Sequence, residues 1–224
     1  VVTNPLFSLF REYVALLMDY GKKFLILGNQ NAVSYKDFFP LFISGQVRLG
    51  YKAFSAMLFD VPAIEPNKSY KIVDGRPMAA IGVAWFTNLD ADSKPGVRLH
   101  KFYCGNQEKY PKYDNYDAIN VDKTEDIPFD YDGVMGVPVT FLDKWNPDQF
   151  EILGITKSWF GISSKIYGEQ IQVDKNGKES RVTKLNDAAS LEVQKPPLDR
   201  TYYKVNDKIY IATYPRILIR KIKR

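Results

Sequence analysis

The feature that most constrains this chain is a short run, Phe24-Leu25-Ile26-Leu27, apolar at every position and followed by Gly28-Asn29. A strand that alternates apolar and polar side chains can leave one face in water. A strand apolar throughout has to be covered on both faces. The flanking sequence offers the cover. Ser8 is placed to cap a helix running to about Tyr20, with Leu9, Tyr13, Leu16 and Leu17 on one face and Gly21 at its end. Ser34-Tyr35-Lys36-Asp37 opens a second helix through Phe42, and Val1–Thr3 reads as a short parallel strand ahead of the first. Strand, helix, strand, helix is the order of an open doubly wound sheet, so the expected fold class is α/β.

After Gly45 the pattern changes. Val47–Tyr51 and Met78–Asn88 read as longer strands, an antiparallel pair at the edge of the sheet, with the turn-rich stretch "EPNKSYKIVDGRP" between them. From about Lys94 onward Tyr, Pro, Asp and Asn dominate, which suits loops and short strands. Asn176-Gly177 marks a β-hairpin, and "KIYIATYPRILIRKIKR" a closing strand or pair broken at Pro215. The expected division is therefore 1–93 for the sheet and its helices and 94–224 for a β-rich, loop-rich region. No apolar run approaches the ~20 residues of a membrane helix. The single cysteine, Cys104, excludes an internal disulfide, and a soluble cytoplasmic protein is expected.

Charge is uneven along the chain. Residues 151–224 carry 15 Lys and Arg against 8 Asp and Glu, whereas residues 1–150 carry 16 against 18. The basic part is the candidate surface for a polyanion, because clustered cations displace counterions from phosphates. It also interleaves Trp159, Phe160, Tyr167, Tyr202, Tyr203, Tyr210 and Tyr214 with Lys and Arg, the composition of a DNA-contacting module. The alternative is a small β-rich domain whose aromatic residues are core and whose cations are a solvated face. Arg181, Lys184, Arg216, Arg220, Lys221 and Lys223 are the candidate phosphate contacts.

Asn4-Pro5-Leu6-Phe7 stands where a parallel strand gives way to a helix, and open α/β sheets bind ligands at the carboxyl ends of their strands. A side-chain amide beside a backbone carbonyl offers two acceptors to an exocyclic amino group. An aromatic residue just beyond can stack on the ring that bears it. Asn-Pro by itself is a common strand-ending turn, with Phe7 then in the core.

The turn resembles the Asn-Pro-Pro-Phe/Tyr signature of amino-group methyltransferases that use S-adenosylmethionine. The likeness extends through "VVTNPLFSLFREYVALLMDYGKKFLILGNQNAVSYKDFFPL", "VAWFTNLD", "YPKYDNYDAINV", "DIPFDYDGVMGVPVTFLDKWNPDQFEILGI" and "PRILIRK". Over most of its length the chain is similar to the EcoRI-type adenine-specific DNA methyltransferases. The resemblance implies a partial Rossmann-like methyltransferase sheet followed by a basic target-recognition region. It implies that Asn4 Oδ1 and the Pro5 carbonyl accept hydrogen bonds from an adenine amino group while Phe7 stacks on the flipped base. It further implies S-adenosylmethionine as methyl donor, double-stranded DNA as partner, a restriction–modification setting in a bacterial cytoplasm, and no metal.

Two departures stand out. Leu6 replaces the second proline of the motif, which leaves the loop freer and adds an N–H, so impaired or lost activity is expected rather than a changed reaction. The donor-binding glycine-rich loop and acidic ribose ligand of the family precede the Asn-Pro turn, and no displaced copy is found: "YDGVMGV" runs into Pro138 with no helix after it. The chain therefore reads as the C-terminal part of a longer enzyme, with a bared sheet edge through which it would self-associate. A DNA-binding remnant without catalysis is the second reading. Methylation of another planar amino group, in RNA or a protein glutamine, is the third.

Other candidates carry less. His100, the only histidine, has Cys104 four residues on, but nothing nearby completes a metal site. Tyr113-Asp114-Asn115-Tyr116-Asp117 and Asp130-Tyr131-Asp132 lack the spacing of a calcium loop, and are expected to hold the fold or frame the base pocket.

Overall fold

The computed structural model describes residues 1–50, 54, 57–61, 70–89 and 96–222. It is α/β, with mixed sheets and few helices, and divides into two compact units, Val1–Asp92 and Ser93–Arg224. The expected boundary between 93 and 94, the end of the Val47–Tyr51 strand, the first part of "EPNKSYKIVDGRP" and Lys223 lie outside the described residues.

In the first unit, β1 (Val2–Thr3), β2 (Leu25–Asn29), β3 (Arg48–Leu49), β4 (Met57–Asp60), β5 (Lys71–Val73), β6 (Arg76–Ile81) and β7 (Val83–Thr87) build two sheets. One has the order β1-β2-β7-β3, the other β4-β6-β5. β1 and β2 run parallel with Val2 opposite Leu25, whereas β7 is antiparallel to both β2 and β3. The stretch Met78–Asn88 is thus not one strand. Gly82 interrupts it, the halves join different sheets, and the Gly82 carbonyl accepts from the Gln30 N–H at 3.0 Å. Nor is "KIVDGRP" only a turn. Asp74 and Gly75, at φ 49° and 75°, close a hairpin between β5 and β6.

The first helix also departs from expectation. Ser8 does not cap it: Phe7–Leu9 forms a 3-10 turn, and α1 (Phe10–Asp19) starts after Leu9 without a side-chain cap. Its buried face is Phe10, Val14 and Leu17, while Leu9 and Leu16 are about half exposed. Phe10 sets the rotation, since its ring is 1% exposed and sits 5.3 Å from Phe38 and 5.2 Å from Phe86. Gly21 ends the helix at φ 59°. Its N–H donates to the Met18 carbonyl, and that of Lys22 to the Leu17 carbonyl. The second expected helix, from Ser34 through Phe42, is shorter than expected: a 3-10 segment, Gln30–Ser34, precedes it, residues 36–38 are turn, and only α2 (Phe39–Ile43) is α-helical. Pro40 explains this, because it is tolerated in a first turn but not in the interior of a longer helix.

The second unit holds nine strands among the described residues: β8 (Ile119–Asn120), β9 (Met135–Pro138), β10 (Phe150–Ile155), β11 (Gln170–Val173), β12 (Glu179–Val182), β13 (Ser190–Val193), β14 (Tyr202–Val205), β15 (Lys208–Ala212) and β16 (Arg216–Lys221). They form a four-stranded sheet, β10-β16-β9-β8, and a five-stranded antiparallel sheet, β12-β11-β14-β15-β13. The β11–β12 hairpin turns at Asn176-Gly177 as expected. Gly177 has φ 82°, and Asp174 Oδ1 accepts from the N–H groups of Asn176 and Lys178. Pro215 separates β15 from β16, which join different sheets rather than pairing. Tyr113, Tyr116, Ala118, Ala189, Leu191 and Leu218 form a core cluster drawing on both sheets.

Candidate functional site

The Asn-Pro turn sits at the carboxyl end of β1, on the same end of the sheet as Asn29 of the parallel β2. Beneath it lies a rigid support. A Cβ at Gly28 would fall 2.3 Å from the Phe10 ring, so α1 packs directly on β2 because residue 28 has no side chain. The Leu6 carbonyl accepts from the Leu9 N–H at 3.0 Å, closing the turn into the helix.

Above this support the candidate residues face outward. Asn4 is exposed and its amide makes no hydrogen bond to a described residue, so both its polar atoms are free for a ligand. Pro5 is half-buried. Phe7 is 41% exposed and takes no place in the Phe10–Phe38–Phe86 cluster. The alternative in which Phe7 is core is therefore not what the fold adopts. Val1, Val2, Leu6, Leu9 and Tyr20 are exposed as well, and β1 is the outermost strand of its sheet among the described residues.

The candidate cations lie in the second unit. Arg181, on edge strand β12, is well exposed and lies 3.1 Å from Glu169. Lys184, in the following 3-10 turn, is exposed. On β16, Arg220 pairs with Glu151 at 2.6 Å, across the register that places residue 220 opposite 151. Lys221 is mostly buried, pairs with Asp132 at 3.1 Å, and donates to the Phe129 carbonyl. Arg216 is 12% exposed and reaches Asp122 at 3.5 Å. Most of these cations already have a carboxylate, and Arg181 and Lys184 are the most accessible. Of the aromatic residues interleaved with them, Tyr167, Tyr203 and Tyr210 are core, whereas Tyr214 is 87% exposed.

The acidic–aromatic run holds the fold. Asn115 is wholly buried, donating to the carbonyls of Leu185 and Ala188 and accepting from the Ser190 N–H. Asp114 accepts from Lys165 at 2.5 Å and Tyr167 at 2.7 Å. Its burial opposes ionisation, but these two donors together keep its pKa below the usual carboxylate value. Asp130 accepts from the N–H groups of Tyr103 and Cys104.

Sequence reasoning missed a network built from distant segments. Tyr113 donates to Asn120 Oδ1 at 2.6 Å, Asn120 donates to Asp122 at 2.8 Å, and Arg216 closes on Asp122 at 3.5 Å. Burial pushes the Tyr113 phenol well above its ordinary pKa, only partly offset by Arg216. No local signal links position 113 to position 216, because pairing of β9 with β16 brings them together. Among the described residues there is no cluster of three potential metal ligands, and no helix long and apolar enough to cross a membrane. His100 is exposed, with Nδ1 3.3 Å from the Arg98 carbonyl, and Cys104 is an exposed free thiol.

A family model described as the adenine-specific methyltransferase EcoRI matches residues 1–222. The chain is 47% identical over 163 residues to the type II methyltransferase M.EcoRI of Escherichia coli, covering 70% of this chain and 50% of that protein. It is 46% identical over 160 residues to the type II methyltransferase M.MpnI of Mycoplasma pneumoniae, covering 68% and 50%. To the type II methyltransferase M.MgeORF184P of Mycoplasma genitalium it is 41% identical over 165 residues, with the same coverage. The chain spans about half the length of the curated relatives it matches. No solved structure matches it.

Proposed function

The chain belongs to the EcoRI family of adenine-specific methyltransferases, and from that premise we propose that it serves methyl transfer to the exocyclic amino group of an adenine in duplex DNA, within a restriction–modification system. The observation that carries this reading is the pairing of a free Asn4 amide with a half-exposed Phe7 at the carboxyl end of a parallel strand. Asn4 Oδ1 and the Pro5 carbonyl accept the two amino N–H groups of the base, which orients the nitrogen lone pair away from the ring. Phe7 stacks on the ring once the base has left the duplex, a displacement costing a few kcal/mol. Orientation and fixed dipoles are then the main contributions of these residues to rate. The basic second unit holds the duplex, with Arg181 and Lys184 on phosphates.

S-adenosylmethionine supplies the methyl group in this reading. Three of the described glycines are closed to a donor, the Cβ position of Gly28 being filled by Phe10, that of Gly136 by Tyr113 and that of Gly133 by Tyr131. The roles proposed for this chain's residues are on the acceptor. The test is transfer of labelled methyl from S-adenosylmethionine to unmethylated DNA. Label on adenine that disappears in Phe7→Ala supports the reading. No incorporation, with duplex binding retained, overturns the enzymatic reading for this chain and leaves DNA binding.

A further inference from the structure

Several of the aromatic residues that the sequence sets among cations in the second unit are core, but two phenyl rings elsewhere in that unit are not. Phe102 is 55% exposed and Phe129 57%, and their rings meet edge-on at 6.3 Å. A single exposed apolar side chain is ordinary on a protein surface. Two large ones in contact, both left in water, form a patch that folding by itself does not require. The pair is also held in place by the backbone. The Phe129 N–H donates to the Lys101 carbonyl at 2.8 Å, which ties the two segments together at the rings. One residue further on, the Asp130 carboxylate accepts from the N–H groups of Tyr103 and Cys104 at 2.5 and 2.9 Å. With both segments clamped, little freedom is lost when a ligand lies against the rings.

The charges beside the pair select the ligand. Lys101, Phe102 and Lys109 border one hollow, together with Glu108 and Asp126. Both lysines are exposed, and neither is in an ion pair with a described residue; Lys109 reaches Asn106 Oδ1 at 3.2 Å. In this they differ from Arg216, Arg220 and Lys221, each of which already has a carboxylate. Glu108 and Asp126 disfavour a phosphate inside the hollow. A nucleobase is flat and uncharged, so it lies against the rings without that penalty while its flanking phosphates reach the two ammonium groups. Aromatic faces with cations alongside are how a strand with unstacked bases is held. We propose that Phe102 and Phe129 are a stacking platform for an unpaired base of the bound DNA, with Lys101 and Lys109 on the neighbouring phosphates. The proposal rests on the DNA-binding reading above and deepens it, giving the second unit a contact with bases on residues that reading leaves unused.

The test is fluorescence anisotropy on the 224-residue chain, titrated with a labelled single strand of DNA and with the duplex of the same sequence. Both are expected to bind. Phe102→Ala and Phe129→Ala each weaken single-strand binding at least about fivefold, the lower end of what base–aromatic stacking contributes. Phe102→Tyr keeps the flat ring and retains the affinity. Leu198→Ala, at a position 96% exposed and outside the pair, changes nothing. Lys101→Ala and Lys109→Ala each lower the slope of log affinity against log salt by about 0.7 on the single strand. Thermal midpoints near the parent's are expected, because both rings are largely in solvent. Should an alanine variant lose stability, Phe102→Leu, apolar and bulky but without a flat face, takes its place. Phenylalanine variants that bind like Leu198→Ala, or a single strand that fails to bind while the duplex does, overturn the platform and leave the DNA reading standing. Binding of neither overturns both. Binding of the single strand alone, lost in the phenylalanine variants, supports the platform and overturns the duplex reading.

Discussion

The Phe10 ring occupies the space that a side chain at Gly28 would need, with Cε2 2.3 Å from where a Cβ would stand. The contact joins α1, which follows the Asn-Pro turn in the chain, to β2, the parallel neighbour of the strand that precedes the turn, so it fixes the two elements between which Asn4 and Phe7 are held. Gly28→Ala forces the ring or the helix to shift and is expected to destabilise the chain by about 1–3 kcal/mol, the usual range for overpacking. Thermal unfolding measures this, and an unchanged midpoint would show that the helix can slide without loss.

Leu6 has φ −59°, a value proline adopts, and its N–H makes no hydrogen bond among the described residues. Leu6→Pro is therefore expected to raise stability by about 0.4–1 kcal/mol through the unfolded chain. On the proposed function it also stiffens the turn and raises methyl transfer. Turnover equal to that of the parent would show that rigidity at this position does not matter.

The Asp114–Lys165 pair makes stability depend on pH at both ends. The Asp114 pKa is lowered from 3.8, because donors from Lys165 and Tyr167 outweigh the opposing burial. Its contribution is complete above pH 3.8 and is lost as pH falls through the lower folded value. Lys165 is raised from 10.5, chiefly by its hydrogen bond to Asp114, so its share is complete below pH 10.5 and is lost as pH rises through the raised value. Urea midpoints of Asp114→Asn should be lower than the parent's near neutrality, and the gap should narrow in strong acid. A gap independent of pH would mean that the carboxylate charge contributes nothing.

Arg181 and Lys184 are the accessible cations of the basic region, whereas Lys221 is mostly buried and bonded to Asp132 and the Phe129 carbonyl. If duplex phosphates meet the first two, each alanine variant lowers the slope of log affinity against log salt by about 0.9. Lys221→Ala leaves the slope near that of the parent. Titrations at several salt concentrations read the slopes, and equal slopes for all variants would remove these residues from the DNA surface.

Asn115 satisfies three backbone groups from the Leu185–Ser190 segment. Asn115→Ala strands all three in the core, and each enclosed group left unpaired costs about 1–3 kcal/mol. Loss of folding at ambient temperature is expected. A mild effect, read by circular dichroism, would mean that water enters the cavity and replaces the amide.

Local chemistry was legible from the chain alone. The apolar run at 24–27 becomes a buried strand, Gly21 ends its helix, Asn176-Gly177 turns its hairpin, and Val1–Thr3 lies parallel to β2. All but the last depend on residues within a few positions of one another, and the pairing of Val2 with Leu25 follows from the strand–helix–strand order. What the chain did not disclose depends on partners far away. Phe10 rotates α1 because Phe38 and Phe86 arrive from other elements, and Gly82 divides an apparently continuous strand because its halves find different sheets. Arg216 looked like one more surface cation in a basic tail. Pairing of β16 with β9 takes it out of water and sets it against Asp122. Residue type and local spacing decide the elements and the turn. Burial and hydrogen-bond partners are properties of the folded packing, and they decided which of the candidate side chains are free to act.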